Sequence, residues 1–514
     1  MLEIFQHLFV SVAEEMGVLL RRTSFSANIK ERRDYSCAWY DSEGQTVAMG
    51  DHMPVHLGAM PLAVEHVRRA IDLRPGDIAM VNDPFRGGTH LPDITVVSSV
   101  FLGNTKQPEF YVANRAHHAD VGGMSPGSMP LANEIYQEGL RLPPIKIVEG
   151  GVLRRDLLDL VLANVRTPVE REGDLKAQLA AIQRGETRLR ALVEKYGLSV
   201  IRRRIRELFA YSERLMRATI REIPDGEYRF EDVLEDDGLG NGPFPLRVAI
   251  RIAGDQAEVD FAGSAPQAPG AINANRAIAL AATAYVFRCL LAEDVPFTGG
   301  LLRPIRVLTP DHSVVNASAP AAMAAGNVET SQRIVDVLLG ALAKALPHRI
   351  PAASSGTMNN LSFGGFDQLR QRPFAYYETL AGGMGAGPLR PGINAVHTHM
   401  TNSWNTPVEA FEHAYPVRLK QYRIRPNSGG RGRQQGGNGL IREWEFLAEA
   451  EVTLLSERRK TAPYGLSGGE NGMPGAAVLV SNHRESPLPA KFRRRVKPGD
   501  CLRILTPGGG GFGI

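Results

Sequence analysis

Hydrophobic residues recur at helical spacing in two parts of the chain. Between Ile4 and Leu20 they return every three or four positions, which predicts an amphipathic helix packed on a core. A second helical pattern covers residues 174–220 and breaks near Tyr196 and Gly197. Two long helical segments joined by a short turn are typical of a helical hairpin, so we predict one here.

Strand-like patterns occupy other parts of the chain. Residues 94–101 are β-branched and apolar on both faces, as in a buried strand. Turn-forming residues follow at 103–108, and residues 109–117 have the pattern of a returning strand. Residues 34–50 show a second strand–turn–strand pattern around a Ser-Glu-Gly turn. Both stretches are therefore predicted to form β-hairpins.

The ends of the 94–117 hairpin carry side chains that bind metals. His90 and Asp93 form an H-x-x-D sequence, and pairing about a turn centred on Thr105 would make Asp93 face His117 across the ladder. His118 would then point to the opposite side, although a slip of one residue would exchange the two histidines.

Imidazole nitrogens with a carboxylate suit Zn, Mn or Fe(II), and the lack of cysteine argues against a thiolate-rich structural zinc site. Buried core histidines beside a capping aspartate would give the same pattern. We predict the metal site, because three suitable groups converge.

Asp34 stands at the mouth of the 34–50 hairpin. It is either a charge-paired surface residue or a carboxylate aimed into a site, and spacing alone does not distinguish the two. His52, His56 and His66 lack a helical ligand spacing, and we interpret them as structural. His397 and His399 alternate to one face of a strand-like run, where core packing or a subunit contact is favoured over a second metal site.

Turn signals divide the chain into segments of different character. A Pro-Asp-Gly turn at residues 224–226 is followed by strand alternation up to residue 260, and the last third is the richest in glycine. We predict an α+β fold with several domains, mixed β-sheets and the long helical hairpin. The expected domains are an N-terminal metal-binding domain with the helical hairpin (1–220), a β-rich middle domain (221–350) and a glycine-rich C-terminal domain (351–514).

Composition excludes several classes of function. The 514-residue chain has 43% hydrophobic and 22% charged residues, and its net charge of +4 disfavours a general nucleic-acid or membrane binder. The three cysteines are widely spaced and form no C-x-x-C motif, so no disulfide framework is indicated. Neither a secretory signal nor an apolar run of about eighteen residues is visible, so a cytoplasmic protein is expected. The G-x-x-x-x-G-K-[ST] phosphate loop is also absent from the sequence.

Several motifs follow one another over nearly the whole chain. They are ERRDYSCAWYD, NDPFRGGTHLPDITVV, RAHHADVGG, DFAGSAPQAPGAIN, YYETLAGGMGAG, HTHMTNSWNTPVEAFE and TPGGGGFG. As an ordered set they resemble the hydantoinase B family, which includes N-methylhydantoinase B subunits, the carboxy-terminal part of 5-oxoprolinase, caprolactamase and one subunit of acetone carboxylase.

The resemblance implies a subunit of a hetero-oligomer that works with a hydantoinase A-type partner carrying ATP and Mg. It implies a divalent metal held by His90, Asp93 and His117, with Asp34 as a further ligand. The expected reaction is ATP-dependent hydrolysis of a small cyclic amide, such as a hydantoin, a lactam or a 5-oxoproline-like ring. Ketone carboxylation and a non-catalytic scaffold for the partner are the alternatives.

Two residues beside the expected ligands are candidates for catalysis. His118 and Asp120 would orient a metal-activated water molecule or shuttle its proton. A structural role beside the ligands is the competing interpretation for both.

Overall fold

The structure is a computed structural model that describes residues 1–50, 52–103, 105–292, 295 and 297–514. The predicted opening helix is confirmed as α1 (Leu2–Thr23), in which the buried residues Phe5, Phe9, Val12, Met16 and Leu20 form one stripe. After the short helix α2 (Ala27–Lys30), strands β1 (Tyr35–Tyr40) and β2 (Thr46–Met49) pair antiparallel and confirm the first predicted hairpin.

The second predicted hairpin is also confirmed. Helix α3 (His56–Ala70) and strand β3 (Ile78–Val81) precede β4 (Asp93–Val100) and β5 (Phe110–His117), which pair antiparallel with Asp93 opposite His117. Asn104, in the predicted turn, lies outside the described residues. Strands β6 (Ile145–Glu149) and β7 (Val152–Leu153) complete a sheet of order β2-β1-β5-β4-β3-β6-β7.

Both faces of this sheet are covered by helices. After α4 (Arg155–Ala163), the two long helices α5 (Pro168–Tyr196) and α6 (Leu198–Arg221) are joined by Gly197 alone, which has a φ of 82°. Helices α1 and α5 pack on one face of the sheet, and α3 packs on the other. The strands are therefore apolar on both sides, and the predicted helical hairpin is present.

The middle of the chain builds a second sheet and two central helices. Strands β8 (Gly226–Leu234), β9 (Phe244–Ala253) and β10 (Gln256–Asp260) precede α7 (Arg276–Cys289), β11 (Ile305–Leu308) and α8 (Ser331–Ala345). The sheet order is β11-β10-β9-β8, and α8 packs on β8 and β9. A π-helical segment, Gly326–Thr330, leads directly into α8.

The last third contains two further sheets. Its elements are β12 (Asn360–Asp367), β13 (Arg372–Glu378), α9 (Val408–Ala414), β14 (Val417–Ile424), β15 (Leu440–Phe446), β16 (Ala450–Leu455), β17 (Ala476–Ser481), β18 (Arg484–Leu488), β19 (Lys491–Val496) and β20 (Cys501–Leu505). The sheet orders are β13-β12-β16-β19 and β14-β15-β20-β17-β18. The glycine-rich stretches between strands pack backbone on backbone, since a Cβ on Gly509 would lie 2.1 Å from the Met384 carbonyl oxygen.

The predicted fold class is confirmed: several β-sheets combined with helices, a multi-domain arrangement and the helical hairpin are all present. The sheet β11-β10-β9-β8 is mixed, because β10 pairs parallel with β11 and antiparallel with β9. The prediction of a strand around His397 and His399 is wrong. Both residues lie outside the strands, and the neighbouring Val396 forms an isolated bridge with Gly382. In the described part of the chain, strand pairing stays within 1–220, 221–350 or 351–514, which supports these bounds as our proposed domains. No helix among the described residues is long and apolar enough to cross a membrane.

Candidate metal centre

The open end of the β4–β5 hairpin brings three metal-competent side chains together. Asp93 begins β4, His117 ends β5, and the turn before β4 carries His90. Asp93 Oδ1 lies 3.2 Å from His90 Nε2 and 3.3 Å from His117 Nδ1. The residues Asp93, His90 and His117 are 1%, 0% and 2% exposed, respectively, and their ligand atoms all lie within 4.8 Å of one another.

Neighbouring side chains hold the Asp93 carboxylate in its charged form. The Thr89 hydroxyl donates to Oδ2 at 3.1 Å, and His56 Nε2 lies 3.4 Å from the same oxygen. Burial alone would raise the pKa of Asp93, but the charge of His90 and hydrogen bonds from His117, His56 and His90 hold it well below its usual range. The site therefore contains an ionised carboxylate that could bind a cation.

His56 contacts this site although its sequence position indicated only a structural role. Ser36 Oγ accepts the Met53 N–H and lies 2.8 Å from His56 Nδ1, so its own hydroxyl hydrogen is free for that nitrogen. His56 Nε2–H then faces Asp93. His56 starts α3 and meets Asp93 only through the tertiary fold, so no spacing in the sequence pointed to it.

The orientation of His90 is set by a segment more than two hundred residues away. His90 Nδ1–H donates to the Ala324 carbonyl at 3.2 Å, which leaves Nε2 as the nitrogen directed at the site. Asn327 Nδ2 lies 3.2 Å from His90 Nε2. The N–H groups of Met323 and Ala324 both donate to Glu138 Oε1. Sequence reasoning missed Glu138 and Asn327, since neither belongs to a motif with the ligands.

Asp34 is the cross-strand neighbour of His117. Tyr35 pairs with Ala116, so the register continues to Asp34 opposite His117, and the His117 N–H donates to the Asp34 carbonyl at 3.0 Å. Burial lowers the pKa of His117, opposed in part by its hydrogen bond to Asp93 and by the charge of Asp34. The Asp34 carboxylate is not in the group whose atoms lie within 4.8 Å, and its role as a ligand stays a prediction.

The C-terminal third closes the site. The ring of Tyr377 stacks on His117 with centroids 4.4 Å apart and an angle of 16° between the planes. Nε2 of His117 is buried without a hydrogen-bond partner. Each of the three proposed domains thus contributes side chains at the site: His90, Asp93 and His117 from the first, Asn327 from the second and Tyr377 from the third.

The two predicted catalytic residues lie beside this cluster and contact other groups. His118 Nε2 lies 2.9 Å from Gln178 Oε1 of α5, and burial together with the charge of Arg171 lowers its pKa to about 4. Asp120 accepts from the N–H groups of Gly122, Gly127 and Arg166 and from the Arg166 guanidinium. The prediction that His117, and not His118, faces Asp93 is confirmed by the register. The catalytic roles stay predictions.

The residues present fit a divalent metal ion. Two imidazole nitrogens and a carboxylate oxygen form the kind of donor set that Zn, Mn and Fe(II) accept, and the unpartnered nitrogen of His117 shows that the buried site is not satisfied by protein alone. Over the described ranges, no comparable cluster includes His397 or His399. His399 Nδ1 instead lies 3.3 Å from the Tyr285 hydroxyl.

The chain belongs to the Hydantoinase B/oxoprolinase family, whose profile matches residues 1–514. It is 40% identical to 5-oxoprolinase 1 of Arabidopsis thaliana over 538 residues, which cover 100% of this chain and 41% of that protein. It is 31% identical to the B-type component of a putative D-/L-hydantoinase from Pseudomonas sp. (strain NS671) over 525 residues, which cover 98% of this chain and 88% of that one. The chain thus spans about two fifths of the plant relative and most of the bacterial one.

Two solved structures are also similar to this chain over its whole length. The ATP-dependent caprolactamase from Pseudomonas jessenii matches with a TM-score of 0.93 and 29% identity, covering 100% of this chain and 90% of that one. The nucleotide-free structure of acetone carboxylase matches with a TM-score of 0.90, covering 100% and 75% of the two chains. At 17% identity, the second likeness concerns the fold alone.

Proposed function

We propose that this chain is the metal-binding subunit of an ATP-dependent enzyme that hydrolyses a cyclic amide activated by phosphorylation on a partner subunit. The observation that carries the proposal is the meeting of His90, Asp93 and His117 at the open end of one hairpin. Support comes from relatives named for 5-oxoprolinase, hydantoinase and caprolactamase. The substrate class is a hydantoin, a lactam or a 5-oxoproline-like ring.

The chemistry of amides explains why ATP would be needed. Amide resonance makes the ring carbonyl a poor electrophile, and transfer of the ATP γ-phosphoryl group to its oxygen removes that resonance. Water then adds to the carbon, the ring C–N bond breaks, and the ring nitrogen takes up a proton. A second water molecule releases phosphate from the acyl phosphate, so that an open-chain amino acid, ADP and phosphate are the products.

This chain would supply the site for the addition of water. His90, Asp93 and His117 are the proposed ligands of a Zn, Mn or Fe ion, with Asp34 as a further one. A bound divalent ion would lower the pKa of a water molecule and polarise the carbon–oxygen bond. Thr89 and His56 contact Asp93 Oδ2 and orient the carboxylate.

His118 and Asp120 remain the proposed catalytic residues, and their contacts favour action through positioning. His118 joins the hairpin end to α5 through Gln178, while Asp120 gathers the N–H groups of the glycine-rich loop that follows. Loss of either residue would displace a segment next to the ligands.

We further propose a hydantoinase A-type partner that holds ATP and Mg, in a hetero-oligomer. The absent phosphate loop supports this division, and so does the bacterial relative, whose name makes it one component of a hydantoinase with more than one kind of chain. A cytoplasmic location is supported by Cys37, Cys289 and Cys501, which are all free thiols in the structure.

The direct test is co-expression of this chain with a hydantoinase A-type partner, followed by a screen of cyclic amides for ADP formation and ring opening. The matched control is the same complex carrying His90→Ala and Asp93→Ala. We expect ADP and an amino acid in equal amounts from the wild-type complex, and no ring opening from the control.

Two results would overturn the proposal. One is equal ring opening by the wild-type and control complexes. The other is ATP turnover that requires bicarbonate and a ketone in place of a cyclic amide, which would assign the chain to carboxylation.

A further inference from the structure

Asn327 presents its amide to the two side chains at the centre of the site. Its Nδ2 lies 3.2 Å from His90 Nε2 and 3.5 Å from Asp93 Oδ2, and the residue is 4% exposed. Its Oδ1 is buried and has no hydrogen-bond partner. One end of this amide therefore contacts the candidate ligands, while the other end is unsatisfied.

The hydrogen bonds of His90 show which of its nitrogens faces the site. Because Nδ1–H donates to the Ala324 carbonyl, Nε2 is the nitrogen that faces Asp93 and Asn327. A metal ion bound through Nε2 would occupy its lone pair. The Asn327 NH₂ group would then have no acceptor on His90, and its positive end would face a cation.

We propose that Asn327 is an additional ligand of the metal, and that its amide turns so that Oδ1 faces the ion in place of Nδ2. This inference rests on the metal-binding role proposed above. The turn exchanges two groups of almost equal size, so it needs no extra space. It also gives Oδ1 the partner that it lacks.

The backbone that carries Asn327 is held in place. Ser331 Oγ donates to the Asn327 carbonyl at 2.8 Å. Gly326 approaches the Asn273 carbonyl so closely that a Cβ would lie 1.8 Å from its oxygen. These contacts fix the backbone on both sides of Asn327, and π-helical turns of this kind are frequent at functional sites. Rotation of the side-chain amide requires no change in them.

An amide oxygen changes which metals the site prefers. Carbonyl and carboxylate oxygens suit Mn²⁺, whereas imidazole nitrogens alone already suit Zn²⁺. Removal of the Asn327 oxygen should therefore weaken binding of Mn²⁺ more than binding of Zn²⁺.

The test is titration calorimetry of the full chain with Mn²⁺ and with Zn²⁺. For Asn327→Ala we expect Mn²⁺ affinity to fall about tenfold, as is typical when a supporting group of a metal site is lost, and Zn²⁺ affinity to fall less. Asn327→Asp keeps an oxygen and adds a charge, so it should bind Mn²⁺ at least as tightly as wild type. The matched control is Gln332→Ala, which removes another buried amide with an unpartnered oxygen one turn along; it contacts the Thr398 carbonyl and should leave affinity unchanged.

The absorption spectrum of the Co²⁺-loaded protein gives a second readout, because its d–d bands report coordination number. The bands should intensify in Asn327→Ala, as a ligand is lost, and should keep the wild-type intensity in Gln332→Ala. If Asn327→Ala fails to fold, Asn327→Asp decides: weaker binding of Mn²⁺ would show that the N–H donor matters and not the oxygen.

Equal Mn²⁺ affinity and Co²⁺ spectra in wild type and Asn327→Ala would overturn the inference while leaving the proposed function intact. A wild-type chain that binds neither Mn²⁺ nor Zn²⁺ would overturn both.

Discussion

Glu138 stabilises the fold and also positions a residue of the candidate metal centre. It is fully buried, and its Oε1 accepts the Met323 N–H at 2.7 Å and the Ala324 N–H at 2.8 Å. The Ala324 carbonyl in turn fixes the His90 ring. Glu138→Ala leaves two buried N–H groups without an acceptor, at about 1–3 kcal/mol each, so we expect a loss of about 2–6 kcal/mol in the free energy of unfolding.

Glu138→Gln removes the titratable carboxyl group but keeps an oxygen that can accept the two hydrogen bonds. The glutamine oxygen keeps both N–H bonds, so at pH 6 Glu138→Gln should be less destabilising than Glu138→Ala. Burial raises the pKa of Glu138 from 4.5 to about 8, against the opposing pull of the Ala324 and Met323 N–H groups. The folded chain therefore holds this proton more tightly than the unfolded chain does.

The pH dependence has a definite sign. A carboxyl whose pKa is raised on folding contributes its full stability below its unfolded pKa and loses it as pH rises through the folded value. Between about pH 4.5 and pH 8, the free energy of unfolding of wild type should thus fall by up to about 1.4 kcal/mol per pH unit. The Glu138→Gln variant lacks the titrating carboxyl and should not show this loss. Relative to wild type, the glutamine variant should be more stable at pH 9 than at pH 6.

The assay is urea unfolding followed by circular dichroism at pH 6 and pH 9, with Mn²⁺ affinity measured by calorimetry at pH 7. Glu138→Ala should weaken metal binding because the Ala324 carbonyl loses its anchor, whereas Glu138→Gln should not. The reasoning is refuted if the alanine and glutamine variants are equally destabilised at pH 6. It is also refuted if the difference between wild type and Glu138→Gln is the same at both pH values.

Three further outcomes are expected of the isolated chain. Elemental analysis should find about one divalent metal per chain, and none in a folded variant carrying His90→Ala and Asp93→Ala. His117→Ala should lose the metal while His118→Ala retains it, as measured by metal content of the two single variants; the reverse pattern would contradict the observed strand register. Calorimetry should detect no tight ATP binding and no turnover without a partner, and micromolar ATP affinity would contradict the proposed division of labour.

The part of the site that lies on one hairpin could be predicted from sequence. In a hairpin, residues at equal distances from the centre of the turn pair with each other. Counting from a turn centred on Thr105 was therefore enough to place Asp93 opposite His117. Helix patterns were also readable, although α5 begins at Pro168 and not near residue 174, because proline at the first helical turn is a start signal that hydrophobic spacing does not show.

The rest of the site could not be predicted, because it is assembled by tertiary contacts. His56, Asn327 and Tyr377 reach the ligands from α3, a π-helical segment and β13, and no local spacing relates them to His90 or Asp93. The strand expected near His397 failed for a related reason. Alternation of side chains was visible there, but this stretch pairs at only one position, where Val396 bridges to Gly382.

The burial of His90, Asp93 and His117 also explains why the proposed metal chemistry would need an intact chain. An imidazole–carboxylate cluster left open to water would gain little from its neighbours, since solvent screens the contacts that hold Asp93 ionised. Here Ala324 and Asn327 cover one side of the cluster and Tyr377 stacks on His117. These surroundings have a low dielectric constant and therefore strengthen the contacts that hold Asp93 ionised. The surroundings form only when residues from all three proposed domains are in place. The candidate metal centre is therefore a property of the whole folded chain, although every predicted ligand lies in its first quarter.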